Sequence, residues 1–319
     1  MTRAQLLTQL ARRLNKNETL DAVTQNRLVD YLNEVQREIL SKPGLRRLRD
    51  DVVTFSSVSG QSGYALPNVA KVNRIFETTN DRLLHPLTLD QYRAISPDES
   101  AVTGVASAWV WTGYQPIALH PSNASSLFVV SSSASDTAIT AYVEGEITGG
   151  YPRSASVTLT GTTAVNVSSA ISTWVRVTKF YLSAAPVGTV TLLEDSGAGT
   201  ELARIQIGGT MQHYYTFRLY PQPSDAIVYT ADVTLQITDL AQNTDEPRLP
   251  LDFHDLLIAG AMVKEYEKTA DERLAVSMGR YRERLGELHY WLAETASGSS
   301  FLHTERGISR LGAWFPAGT

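Results

Sequence analysis

The chain has 319 residues and a formal net charge of −5; 43% of its residues are hydrophobic, 19% are charged, and none is cysteine. That length predicts roughly two domains at about 150 residues each, and the apolar share excludes wholesale disorder. The lack of cysteine excludes a disulfide scaffold, a thiol nucleophile and thiolate-bound zinc, while the mild acidity argues against an autonomous nucleic-acid binder.

The opening residues, Met1 to Leu7, are not followed by an apolar run of signal-peptide length. The longest apolar stretch, Leu256–Val263, is far short of the ~20 residues a membrane span needs. The reading is a soluble protein made in the cytoplasm, with no membrane partner. The glycosylation-type triplets at Asn17, Asn123 and Asn166 are chance matches in a Ser/Thr-rich chain.

Leu6, Leu7, Leu10 and Leu14 make one apolar stripe and predict a helix over 3–14, capped by Thr2. A second helix is predicted from Asp21 to Leu40. Leu28, Tyr31, Leu32, Val35 and Ile39 line one of its faces, charges line the other, and Pro43-Gly44 stops it. From Asp51 the texture turns to β-formers, with strands expected at Val52–Val58, Val69–Thr78 and Leu83–Leu89, then a helical turn at Leu89–Ile95.

Residues 104–210 contain only ten charged residues. Alternation is clear in Ser156–Thr160 and in Trp174–Leu182, and further strands are expected at Thr189–Leu193 and Leu202–Ile207. Short strands about ten residues apart with Gly/Ser/Pro punctuation predict a β-sandwich, placed at 137–210. Trp109–Val130 is assigned to the preceding sheet, which Tyr214–Tyr220 and Ile227–Ile237 resume.

Helical texture returns after Asp239. One helix is expected from about Asp252 to Lys268, where Gly260-Ala261 predicts close approach by another helix or chain. The next is expected from about Asp271 to Thr295, with a stripe of Leu274, Met278, Tyr281, Leu285, Leu288 and Leu292. Ser297-Gly298-Ser299-Ser300 reads as a linker. Phe301, Leu302, Ile308, Leu311, Trp314 and Phe315 then suit a segment that either orders on a partner or folds back on its own domain.

The fold class expected is therefore α+β: terminal helices packed together, with a β domain between them that carries an inserted immunoglobulin-like β-sandwich. The domains expected are 1–50 with 240–295 (helical), 51–136 with 211–239 (β), 137–210 (inserted sandwich) and 296–319 (docking tail).

Catalytic constellations are missing from the sequence. The six histidines are scattered, no two at helical ligand spacing, and there is no G-x-S-x-G elbow, P-loop or complete G-x-G-x-x-G. Asp252, His254 and Asp255 cluster at a helix start, where carboxylates complement the helix dipole. The chain reads as a non-enzyme with no cofactor and no metal. Arg46-Arg47-Leu48-Arg49, neutralised by Asp50-Asp51, suits ion pairs or subunit contacts better than DNA phosphates.

Several phrases resemble the head–tail adaptor (connector) proteins of tailed bacteriophages. They are Ile39-Leu40-Ser41-Lys42-Pro43-Gly44-Leu45-Arg46-Arg47-Leu48-Arg49; Phe217-Arg218-Leu219-Tyr220-Pro221-Gln222-Pro223; and Thr244-Asp245-Glu246-Pro247-Arg248-Leu249-Pro250 running into Phe253–Ala261. The similarity covers roughly 1–100 and 211–295, and 137–210 departs from the minimal pattern.

The resemblance implies a virion protein of the neck: a ring of twelve identical subunits docked under the portal protein. The ring would extend the DNA channel and offer tail tube or nozzle proteins their attachment surface. It implies helices packed between neighbouring subunits, with Leu257, Gly260, Ala261 and Tyr281 in that contact. It also implies a C-terminal segment reaching the portal through Phe301, Leu311, Trp314 and Phe315. Twelve copies at −5 carry about −60 (12 × −5), compatible with double-stranded DNA sliding past without sequence-specific contact. The alternatives are another neck or tail protein, or a carbohydrate-binding module using Trp109, Trp111, Tyr114, Tyr142, Tyr151 and Trp174. A hydrolase on a β scaffold ranks last.

Overall fold

A computed structural model of the chain describes residues 1–16, 20–98 and 102–312, with the backbone alone over 296–312. The chain opens with α1 (Arg3–Arg13), α2 (Ala22–Ser41) and a 3-10 stretch, Pro43–Arg49. Next come β1 (Asp50–Ser56), β2 (Gly63–Pro67), β3 (Val69–Glu77), β4 (Arg82–Leu83), β5 (His85–Leu87), α3 (Leu89–Ile95), β6 (Thr103–Gly104) and β7 (Ala108–Gln115). They are followed by β8 (Leu127–Ser131), β9 (Thr140–Ile147), β10 (Tyr151–Thr158), β11 (Val165–Asn166), β12 (Trp174–Leu182), β13 (Val190–Glu194) and β14 (Glu201–Ile205). The chain closes with β15 (Tyr214–Tyr220), β16 (Gln222–Pro223), β17 (Val228–Leu235), a 3-10 turn at Leu251–Phe253, α4 (His254–Thr269) and α5 (Leu274–Gly312). Met1–Arg49 with Ile237–Thr319 form one compact unit, and Asp50–Gln236 the other.

The helical unit is built from both ends of the sequence. Thr2 caps α1 in a reciprocal box with Gln5, and Asp21 caps α2 through the Thr24 N–H. Leu6, Leu10, Leu28, Leu32, Val35 and Ile39 from the first end share one core with Leu256, Leu257, Ile258, Ala261 and Leu288 from the second. Backbone and amide bonds join the ends: the Arg3 N–H donates to the Asp245 carbonyl (2.7 Å), and Gln36 Nε2 to the Thr238 carbonyl (2.8 Å). The carboxylate of Glu265, buried on α4, accepts from Lys16 Nζ (2.6 Å) and from Arg27 (3.2 Å). Burial alone would raise its pKa; these two cations reverse the sign and hold it below the usual range.

One expectation is corrected here. Ser297-Gly298-Ser299-Ser300 is helical, as part of an α5 that runs on to Gly312, and is not a linker. A helix already nucleated adds each residue cheaply, so one glycine among serines need not end it.

The β unit holds two sandwiches. In the host, one sheet has the order β1-β17-β3-β4 and the other β2-β15-β7-β5. They share a core of Val69, Val72, Ile75, Tyr229, Ala231 and Val233 from the first against Tyr64, Trp109, Phe217 and Leu219 from the second. The second sandwich leaves the host after β7 and returns to it at β15. Its sheets, β10-β9-β12 and β11-β8-β13-β14, close over Val143, Trp174, Phe180, Val129, Leu192 and Leu202.

The insertion thus begins earlier than expected. The sequence places Trp109–Val130 in the host sheet, yet β8 at the end of that segment pairs with β13 and β11. An apolar strand looks the same in sequence whichever sheet receives it, and its partner β13 lies about 60 residues away.

Two buried carboxylates fasten the loops of this sandwich. Asp136 accepts from Ser131 Oγ (2.6 Å) and from the N–H groups of Val187 (2.8 Å) and Gly188 (2.9 Å). Glu194 accepts from the Ser122 N–H (2.8 Å) and from the hydroxyls of Ser122 (3.0 Å) and Ser125 (2.9 Å).

Candidate functional site

The residues expected to join subunits fall inside the helical unit. Leu257 and Ala261 are completely buried, facing the core built with α1 and α2. Gly260 is the point of closest approach: a Cβ there would sit 2.5 Å from Val35 Cγ1 and 3.0 Å from Tyr281 Cε2. The glycine is needed because α2 and α5 of the same chain press on it. Tyr281 is half-buried against that core, and burial pushes its hydroxyl up to about 12. Leu257, Gly260 and Ala261, expected at a contact between subunits, pack the subunit's own helices together within the chain.

What the unit presents outward is a charged cleft of about 500 Å³ lined by residues of α1, α4 and α5. Ala259 and Met262 supply apolar surface, and Arg13, Arg280, Glu283 and Glu287 supply charge. Arg284 is fixed there by Asp255 (3.2 Å) and by Glu287, with its guanidinium 4.8 Å from the ring centre of Phe253. The Glu287 hydrogen bond, with Asp255 behind it, raises the Arg284 pKa, so this arginine stays charged. Beyond Phe253 lies Trp291, with ring centres 5.9 Å apart, and Leu251 and Tyr290 are widely exposed nearby in sequence. The lining combines an ion-paired arginine and its carboxylates with apolar surface.

This cleft was not legible in the sequence. Arg280, Glu283, Arg284 and Glu287 carry no motif; the one local signal is their spacing of three and four, which puts them on a shared helix stripe. Of the Asp252–Asp255 cluster, His254 is buried, with Nε2 3.0 Å from the Leu249 carbonyl, and desolvation lowers its pKa. Among the described residues no group of His, Asp and Glu is arranged to hold a metal ion, and no helix is long and apolar enough to cross a membrane. Of the C-terminal anchors, Phe301 and Leu311 lie on the α5 backbone, whereas Trp314 and Phe315 fall outside the described residues.

The aromatic set weighed for sugar binding is divided by the fold. Trp174 is sandwich core and Trp109 host core. Tyr142 stacks on Tyr181 (4.9 Å, 11°) on the insertion. Trp111 and Tyr114 are half-exposed, but on the host sheet. No inserted-sandwich platform uses all six rings.

A search of curated proteins finds no match. Among solved structures, a rhamnosidase from Novosphingobium sp. PP1Y is similar at 15% identity and a TM-score of 0.11, over 73% of this chain. This chain spans 24% of the rhamnosidase, a likeness too weak to bear on fold or activity. The family model described as SU10 adaptor protein matches residues 1–144 and 138–303, across both units. The chain therefore belongs to the SU10 adaptor protein family, structural adaptor proteins of the phage particle.

Proposed function

We propose that this adaptor sits at the head–tail junction as a ring of twelve copies under the portal. It continues the DNA channel and offers the tail its attachment surface. The observation that carries this reading is α5. Among the described side chains, those that seat it on its own unit run from Leu274 to Leu292. Its backbone continues to Gly312, giving a helix of 39 residues, or about 58 Å at 1.5 Å per residue. The continuation carries Phe301, Leu302, Ile308 and Leu311 in sequence, a set of apolar anchors suited to a groove on a partner. Phe301, Leu311, Trp314 and Phe315 are the proposed portal anchors, and the immunoglobulin-like insertion would decorate the outside of the ring.

Deleting 297–319 tests the reading. The truncated subunit should unfold at the same urea concentration as the full chain but fail to retain portal protein in a pull-down. Equal retention by both would overturn it. Mass photometry adds an assembly test: the pure chain should be monomeric and form a ring only with the portal, and a stable dodecamer of the chain alone would contradict that order.

A further inference from the structure

The host sandwich has two lateral sides, and they are unlike. One side is formed by β1 and β2, where the rings of Phe55 and Tyr64 lie 5.7 Å apart. β1 is the outermost strand of its sheet, paired along all seven residues with β17, and among the described residues no strand lies on its other flank. No bulge interrupts it, and it contains neither proline nor lysine. Val52 is 59% exposed, and its N–H is met by the carboxylate of Asp51 (2.8 Å). Folded proteins usually blunt such an edge, because its backbone groups pair with any strand that arrives.

The opposite side is formed by β3, β4, β5 and β7, and there the chain blunts its own edge. β4 covers only Phe76 and Glu77 of β3. Beyond β4, that flank is met by the Tyr114 hydroxyl donating to the Ala70 carbonyl and by the Leu84 N–H donating to the Ile75 carbonyl (2.9 Å).

What this side exposes instead is aromatic. A bulge between β7 and β15 sets Trp111 opposite Phe217 and Tyr114 opposite Tyr215, so both rings emerge on one face. They lie 5.9 Å apart at 71°, and each closes on Tyr215. Even so, Trp111 is 49% exposed and Tyr114 48%. Charge divides the same way: β1 opens with Asp50, whereas β3 exposes Lys71, with Arg74 standing opposite Asp232 of β17.

We infer that these two sides meet between copies of this chain, the β1 edge of one subunit lying against the Trp111–Tyr114 side of the next. The exposed Val52 and the Asp50 carboxylate of the first side complement the rings and the Lys71 cation of the second. Unlike surfaces on opposite flanks make a heterologous contact, which repeats around an axis and closes as a ring, whereas β1 pairing with β1 would stop at a dimer. The inference rests on the ring reading above and names the surface through which its β units join.

The chain contains no cysteine, so introduced thiols are the only ones the subunit itself carries. T54C on β1 and K71C on β3, placed singly and together in full-length subunits of assembled particles, are treated with a short bis-maleimide. The double variant should give a ladder of covalent multimers, and each single variant only monomer. W111E should cut incorporation into particles at least tenfold without moving the thermal unfolding of the purified chain. A covalent dimer from T54C alone overturns the heterologous contact. So does unchanged incorporation of W111E, or a double variant that stays monomeric in particles that still contain the ring. A particle with no ring removes the ring reading itself.

Discussion

Replacing Gly260 with alanine asks whether the small-residue contact on α4 serves the subunit itself. The added Cβ would stand 2.5 Å and 2.9 Å from the two methyls of Val35 and 3.0 Å from the Tyr281 ring. Exchanging glycine for alanine inside a helix gains about 1 kcal/mol in propensity, but overpacking a filled core costs about 1–3 kcal/mol. Val35 is fully buried and stiff at χ1, which places the cost in the upper part of that range. The expected net loss is about 1–2 kcal/mol. V35A alone removes two methyl groups, about 1.6 kcal/mol of transfer energy plus a cavity term, or about 2–3 kcal/mol in all.

In the double variant the new methyl enters the space that was vacated. The clash with Val35, the tighter of the two contacts, disappears while the propensity gain remains, so the loss should be about 1–2 kcal/mol against about 3–5 for simple addition. Urea unfolding followed by helical circular dichroism measures this coupling of about 2 kcal/mol. Strict additivity, or a G260A chain more stable than its parent, would refute the close approach of α2 to α4.

The inserted sandwich should weaken in acid. Burial alone would raise the pKa of Asp136 and Glu194, but the donors around each outweigh it and hold both below their ordinary values. A carboxylate depressed in the folded state stabilises above the unfolded-state value, and that contribution is lost as pH falls through the folded value. Thermal unfolding between about pH 6 and pH 2 should show a falling acid limb that D136N and E194Q each flatten; unchanged slopes would deny these carboxylates the role. Asp136→Ala at neutral pH leaves three donors without their acceptor and should cost about 3 kcal/mol in urea unfolding. E265A should cost about 2 kcal/mol, between surface and fully buried pairs, since Lys16 and Arg27 keep partial access to water; a loss confined to low salt would mark the pair as a surface one.

The helical unit was largely legible because its signals are local. Leu6, Leu10, Leu28, Leu32 and Ile39 fall at helical spacing, and Thr2 and Asp21 stand where caps belong. What those stripes do not encode is which surface covers them. Leu257 and Ala261 would look the same facing a neighbour as facing α1 and α2, and the fold spends them internally. Alternation reveals the inserted sandwich and the β character of its host, but neither the host's second sheet nor the partner of β8, because pairing is non-local. Trp109 and Trp111 show the limit most clearly. They sit two residues apart on one strand, yet one is core and the other half in water. Their difference depends on how far the facing sheet reaches, which no local pattern records. The aromatic cluster also needed the bulge at Gly113, where the register slips and Tyr114 joins Trp111 on one face.

The central claim is that this family member forms a closed ring between head and tail. A cryo-electron microscopy map of the particle's neck, computed with and without imposed rotational symmetry, tests it most directly. The account predicts both units of the chain repeated twelve times immediately beneath the portal, with an open axial channel. Density for the chain elsewhere on the particle, or present there in a single copy, would contradict it.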